Sequence, residues 1–261
     1  LDQRLFSDID LRYVRGFDMF LQKRGCCGNT RKFYFKALRA ILNRANTEGV
    51  GSAATYPFGR GGFEVSKLEE ATVKRYLPAA ELSKLKSTTA SNPQCEYARK
   101  LFLFSYYCYG ISFIDMAMLT AAHIKQMEDG DYIVYKRQKI KRQKGVKPIS
   151  IKITPAIRQL IGSLQAASPT VDDFLLPIVT RSGYTGERLY MHIRTRYSKY
   201  QKYLRLLAEE LGIDFHLTSY VSRHTAAMTL QRNNIPREVI SQMLGHADLE
   251  TTNIYLDSFD N

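Results

Sequence analysis

Cysteine is scarce in this 261-residue chain, with Cys26, Cys27, Cys95 and Cys108 as the whole complement. So few thiols cannot staple a chain of this length, so a disulfide scaffold is excluded and a reducing cytoplasm is the expected compartment. Cys26 and Cys27 are adjacent and no C-x-x-C pair or Cys/His cluster occurs, so zinc-site spacing is absent and no metal is expected. Apolar runs are short. The longest is interrupted by Ser, Tyr and Gly, which leaves nothing of membrane-spanning length and no membrane partner expected. The opening LDQRLFSDIDLRYVRG has no signal-peptide pattern and no initiator Met, so a segment is expected to precede it. Internal repeats and low-complexity tracts are absent as well.

What is present is a hydrophobic fraction of 44%, including 17 Tyr and 13 Phe. That suffices for a packed core and excludes global disorder. The net charge of +13, with a pI near 9.5, attracts a polyanion, and nucleic acid is the commonest one.

Along the chain, Ile9, Leu11, Val14, Phe17, Phe20 and Leu21 recur at helical spacing and predict a helix over 8–24. Asn29-Thr30 is read as the cap of a second helix carrying Phe33, Phe35, Leu38, Ile41 and Leu42. Arg31, Lys32 and Lys36 on it are candidate DNA contacts. The Gly-, Ser- and Pro-rich GVGSAATYPFGRGGFEV reads as loop, and a domain boundary is expected near 60–72. Beyond it come a helix after Pro78, an apolar helix over about 97–109 ending at Gly110, and the segment FIDMAMLT. Tyr132 and Val134, then Ile149, Ile151 and Ile153, fall at a spacing of two, which predicts a hairpin around the basic turn KIKRQKG. Lys141 and Arg142 in that turn are further candidate DNA contacts. Helices follow from Pro155, over 192–211, 218–233 and 236–244, and in a last short element holding Tyr255.

Four segments carry chemistry, in a fixed order: YGISFIDMAML (109–119), the hairpin with Lys139 and Lys144, LTSYVSRHTAAM (217–228) and LGHADLETTNIY (244–255). Arg223-His224, then Leu244-Gly245-His246, then Thr252 and Tyr255 resemble the tyrosine recombinase (phage-type integrase) family, including integrases of mobile elements in gut bacteria. His246 precedes Tyr255 by nine positions, as that family's pattern requires. The resemblance spans nearly the whole chain. It implies a mainly α fold with a small β-sheet (α+β), in two parts. Residues 1–66 would be a helical core-type DNA-binding domain, N-terminally incomplete, and 67–261 the catalytic integrase domain.

The resemblance also implies roles. Tyr255 would attack a phosphodiester and form a 3′-phosphotyrosine, which keeps the bond energy for rejoining without ATP, metal or other cofactor. A tyrosine hydroxyl, with a pKa near 10, needs neighbouring cations to stabilise its anion and the transition state. Arg223 would grip two phosphate oxygens, His246 would donate to another, and a hairpin lysine would protonate the leaving oxygen. Counting forward from YKRQK puts Lys139 at that lysine's position; counting back from KPISIKI puts Lys144 there. Lys139 is preferred. His224 is expected to support the helix rather than touch DNA.

Two positions depart from the family. Its first catalytic arginine follows a Gly-Leu pair, where this chain has Gly110-Ile111-Ser112, with Asp115 matching a frequent acidic position. Three residues before the second arginine the family has His or Lys; here Tyr220 stands there, which still donates one hydrogen bond. Ser112 supplies no charge, so Arg137 on the hairpin is the candidate replacement. The readings are therefore an active recombinase, a catalytically silent DNA-binding protein of the same fold, or a type IB topoisomerase. For the first, the resemblance implies a clamp around double-stranded attachment-site DNA, a homo-tetramer joined by exchanged C-terminal segments, host or element accessory factors, and a nucleoid-associated location. Only six residues follow Tyr255, so a truncated tail is expected.

Overall fold

The computed structural model describes residues 4–70, 75–246 and 249–257; the side chains of Ile254 and Tyr255 lie outside that description. The chain divides into two compact units, Leu1–Thr72 and Val73–Asn261.

The first unit is built on α1 (Leu11–Lys23) and α2 (Gly28–Thr47). Asp10 caps α1 by accepting a hydrogen bond from Tyr13 N at 2.7 Å. Val14, Leu21, Phe35 and Val65 form the core, with Phe17, Phe58 and Phe63 packed on it. The expected cap at Asn29-Thr30 is corrected: α2 starts at Gly28 with Cys27 as N-cap. Asn29 is used differently. Its amide donates to Glu70 O at 2.6 Å and its oxygen accepts from Glu70 N at 3.3 Å, so it pins the segment after the loop.

The second unit is centred on α4 (Pro93–Tyr107), which packs against α6 (Pro155–Ala167), α7 (Gly186–Leu211) and α8 (Ser219–Arg232). Phe102 and Phe104 of α4 are fully buried. It starts at Pro93, earlier than its apolar run, because Asn92 caps it and proline tolerates the first turn. Before it lies α3 (Ala79–Ser87); after it comes the short α5 (Phe113–Ala117). α7 likewise begins before its expected start at 192 and ends at Gly212, which adopts a left-handed conformation.

The β element is a three-stranded antiparallel sheet in the order β1 (Ile124–Met127), β2 (Gly130–Tyr135), β3 (Ile149–Lys152), which extends the expected hairpin by one strand. The buried face of β2 is Ile133 and Tyr135, paired with Ile151 and Ile149, rather than Tyr132 and Val134. The run YIVY is apolar on both faces, so its spacing does not set the register. Tyr132 instead turns outward and donates to Asp129 at 2.7 Å.

The C-terminal helices α9 (Arg237–Leu244) and α10 (Leu249–Asp257) close on α8 through Ala227, Ile240, Leu244 and Leu256, all buried. The fold is thus mainly α with a small sheet. No described helix is long and apolar enough to cross a membrane.

Candidate DNA-cleavage site

A pocket of about 370 Å³ opens where α5, the β2–β3 turn, α7 and α8 meet, and Ser112, Arg137, Lys139, Arg194, Tyr220 and Arg223 are among its lining. Arg223 rises from the first turns of α8 and is buried. Its guanidinium donates to Gly110 O at 3.1 Å and to Leu244 O. It therefore joins the start of α5 to the end of α9. Gly110 makes this possible. Its φ is +75°, and a Cβ there would sit 2.4 Å from Arg223 Cα, so only glycine lets the two backbones approach.

Ser112 caps α5. Its hydroxyl donates to Asp115 Oδ2 at 2.6 Å, while Asp115 Oδ1 accepts from Gln138 N at 2.7 Å. The buried Asp115 carboxylate thereby holds the β2–β3 turn against α5. Arg137 crosses the same turn and donates to Gly245 O at 3.2 Å. Asp115, Arg223 and Arg137 all act on Tyr135: burial pushes its hydroxyl far above the ordinary range, Asp115 adds to this, and the two arginines oppose it.

The long turn folds as successive tight turns, with Ile140 N donating to Arg137 O and Gln143 N to Ile140 O. Lys139 lies on the pocket side. Lys144 is exposed further along, as are Lys141 and Arg142, and none of these three lines the pocket. His246 follows the Leu244-Gly245 turn, and its Nδ1 pairs with Thr252 Oγ1 at 2.7 Å. Thr252 is fully buried on α10, so it fixes the ring from below. Tyr255 falls three residues on in the same helix, but its side chain lies outside the described residues. Tyr220 is exposed at the pocket mouth, with its ring 6.0 Å from that of His224.

In the first unit, Arg31 is tied to Asp18 at 2.9 Å and Lys32 to Glu69 at 2.6 Å, whereas Lys36 is exposed. The first two therefore hold the unit together in addition to any contact with DNA. Sequence reading missed the roles of Gly110, Asp115, Gln138 and Thr252, and the pocket-facing Tyr190 and Arg194. Tyr190, Ile193, Arg194 and Tyr197 fall at helical spacing on α7, a signal that was there to find. Among the described residues, no cluster of His, Cys, Asp or Glu is placed to hold a metal ion.

A buried arginine, a second arginine and a lysine thus line one pocket on a helical scaffold. Residues 75–261 match the phage integrase family, and residues 2–65 match the phage integrase SAM-like domain. The chain belongs to the phage integrase family. It is similar to tyrosine recombinase XerD of Halalkalibacterium halodurans, 43% identical over 54 residues, covering 21% of this chain and 18% of that protein. It is also similar to tyrosine recombinase XerC of Rhodospirillum centenum, 31% identical over 114 residues, covering 44% and 31%. The matches thus span less than a third of these relatives' length. Similar solved structures include XerH recombinase bound to its difH substrate, with a TM-score of 0.65 and 17% identity over 95% of this chain and 67% of that one. A lambda integrase dimer bound to a COC′ core site has a TM-score of 0.66 and 15% identity over 99% and 83%. The Tn1549 transposon integrase with a circular intermediate DNA has a TM-score of 0.65 and 12% identity over 95% and 81%. At these identities the likeness is one of fold.

Proposed function

We propose that the chain is a site-specific recombinase that cleaves and rejoins double-stranded DNA through a 3′-phosphotyrosyl link to Tyr255, serving integration or excision of a mobile element. The observation that carries this reading is the pocket shared by Arg223, Arg137 and Lys139. Arg223 binds the scissile phosphate, and Arg137 supplies the second guanidinium that Ser112 cannot. His246, held at Nδ1 by Thr252, turns its other edge toward a phosphate oxygen. As Tyr255 Oη bonds to phosphorus it gives up its own proton to water, and the 5′ oxygen leaves and takes a proton from Lys139, which lines the pocket where Lys144 does not. Attack by a second strand's 5′ hydroxyl reverses the step, with Lys139 taking the proton back. Lys36, Lys141 and Arg142 contribute sequence-independent backbone contacts. The working assembly is a homo-tetramer on paired attachment sites with host or element accessory factors, in the cytoplasm at the nucleoid.

One observation favours a second reading: Ser112 is committed to capping α5 and brings no charge to the pocket, as expected of a silent DNA-binding relative. Covalent trapping decides between them. Nicked duplexes from the element's ends are mixed with protein and resolved on a denaturing gel, with Tyr255→Phe as control. An adduct that disappears in the variant supports the recombinase. Binding without an adduct, on DNA containing the site, supports the silent reading.

A further inference from the structure

Phe113 lines the catalytic pocket on one side and a second, smaller niche on the other. On the far side its ring stacks on Tyr200, with centroids 5.1 Å apart and planes at 21°. The niche has a volume of about 20 Å³ and is lined by Gln94, Tyr97, Arg196, Lys199, Tyr200 and their neighbours on α4 and α7. Tyr200 is 3% exposed, and its hydroxyl has no hydrogen-bond partner among the described residues. A buried hydroxyl is rarely left so, because it has given up water without a replacement. Burial also pushes this hydroxyl well above its ordinary range, so it stays a proton donor.

The surroundings are cationic. Arg196 lies 5.9 Å from the Tyr97 ring centre, and Lys199 sits one residue before Tyr200. None of the ion pairs among the described residues involves Arg181, Arg196 or Lys199. Their field reaches His192, which burial first, then Arg196, Arg181 and Lys199, hold below its ordinary value. Gln94 adds an amide in the first turn of the 15-residue α4, at the positive end of its dipole.

We propose that this niche is an oxyanion subsite that seats one non-bridging oxygen of a DNA phosphodiester flanking the one held in the catalytic pocket. Its volume admits a single oxygen-sized atom. Tyr200 donates to that oxygen from below, and Arg196 and Lys199 neutralise the charge at the rim. The occupant is a phosphodiester because Phe113 lines both the niche and the catalytic pocket, so this assignment rests on the function proposed above.

The test uses the full chain and a short labelled duplex of arbitrary sequence, since phosphate contacts do not depend on sequence. Affinity is measured by anisotropy across a salt series for wild type, Tyr200→Phe and Lys199→Ala. Tyr200→Phe is expected to bind about 3–10-fold more weakly while melting no lower than wild type. Lys199→Ala is expected to flatten the slope of log K against log salt by about 1. Equal affinity of Tyr200→Phe and wild type overturns the phosphodiester assignment. If inorganic phosphate then raises the melting temperature of wild type but not of Tyr200→Phe, relative to chloride at equal ionic strength, the occupant is free phosphate instead. If it acts on neither, the niche holds only water. Adduct formation by wild type, run in parallel, separates failure of this subsite from failure of the recombinase reading.

Discussion

Replacing Gly110 by alanine should damage the site through Arg223 without removing any charge. Two costs arise. The first is the left-handed backbone at φ +75°, which for a residue with a Cβ costs about 1–2 kcal/mol. In a unit of this size that lowers the melting temperature by roughly 2–8 °C. The second is steric. The new Cβ would lie 2.4 Å from Arg223 Cα and Cβ, so α8 or the Gly110 turn must move. Relief takes about 1 Å, and a catalytic group displaced that far loses roughly 10²-fold in rate. Gly183 provides the control, because it has φ +72° with nothing within 4 Å, so Gly183→Ala carries the strain without the collision. The assay is the rate of covalent adduct formation on a nicked site duplex, well below both melting transitions, beside thermal melting of each variant. Gly183→Ala should melt lower and cleave at nearly the wild-type rate; Gly110→Ala should melt lower still and cleave about a hundredfold more slowly. Matching behaviour of the two variants in both readouts would refute the claim that Gly110 exists to let Arg223 approach.

Arg137→Ala should slow cleavage by roughly 10²–10³-fold if it supplies the missing guanidinium; a wild-type rate in a single-turnover assay sinks the compensation. Thr252→Val removes the partner of His246 Nδ1, worth about 1–3 kcal/mol when buried, so cleavage should slow about tenfold or more, and an unchanged rate would show that the ring needs no such support. Asp115→Ala leaves Gln138 N unpaired at the base of the hairpin turn and should lower stability by about 1–3 kcal/mol in denaturant unfolding; an unchanged midpoint would contradict the anchoring role. His192 is held below its ordinary 6.5, chiefly by burial. Its neutral ring favours the folded state above about 6.5, and that stability is lost as pH falls from there through the lower folded value. The wild-type melting temperature should therefore drop over that window relative to His192→Gln, and parallel curves would count against it.

Much of this was legible in the sequence, for identifiable reasons. Arg223, His246 and Tyr255 stand in short segments with fixed spacing, so the elements that carry them, α8, the α9–α10 turn and α10, could be read from order alone, while their grouping into one site belongs to the proposal. The helices of the second unit were visible because their apolar residues recur at helical spacing, although α4 and α7 start earlier through caps and polar first turns that carry no periodic signal. Strand β1, with the sequence IKQM, is an edge strand exposed over most of its length, so it lacks the alternation that marks a half-buried strand. The Asn29 reading failed because the same side chain that caps helices also pairs with a distant backbone, here at Glu70. Lys139 and Lys144 could not be separated by counting because RQK occurs twice; the turn geometry places one at the pocket and leaves the other at the exposed end. Tyr200 gave no signal, since a lone tyrosine in a helix reads as core until its hydroxyl is found unpaired.

Two carbonyls that accept from Arg223 come from distant parts of the second unit, Gly110 just before α5 and Leu244 at the end of α9. A consequence concerns order of assembly. While the chain is being made, the contact to Leu244 O exists only once α9 has docked on α8. That contact is therefore completed late, as α9 and α10 close on α8. On the recombinase reading proposed above, strand breakage would thereby be coupled to completion of the fold.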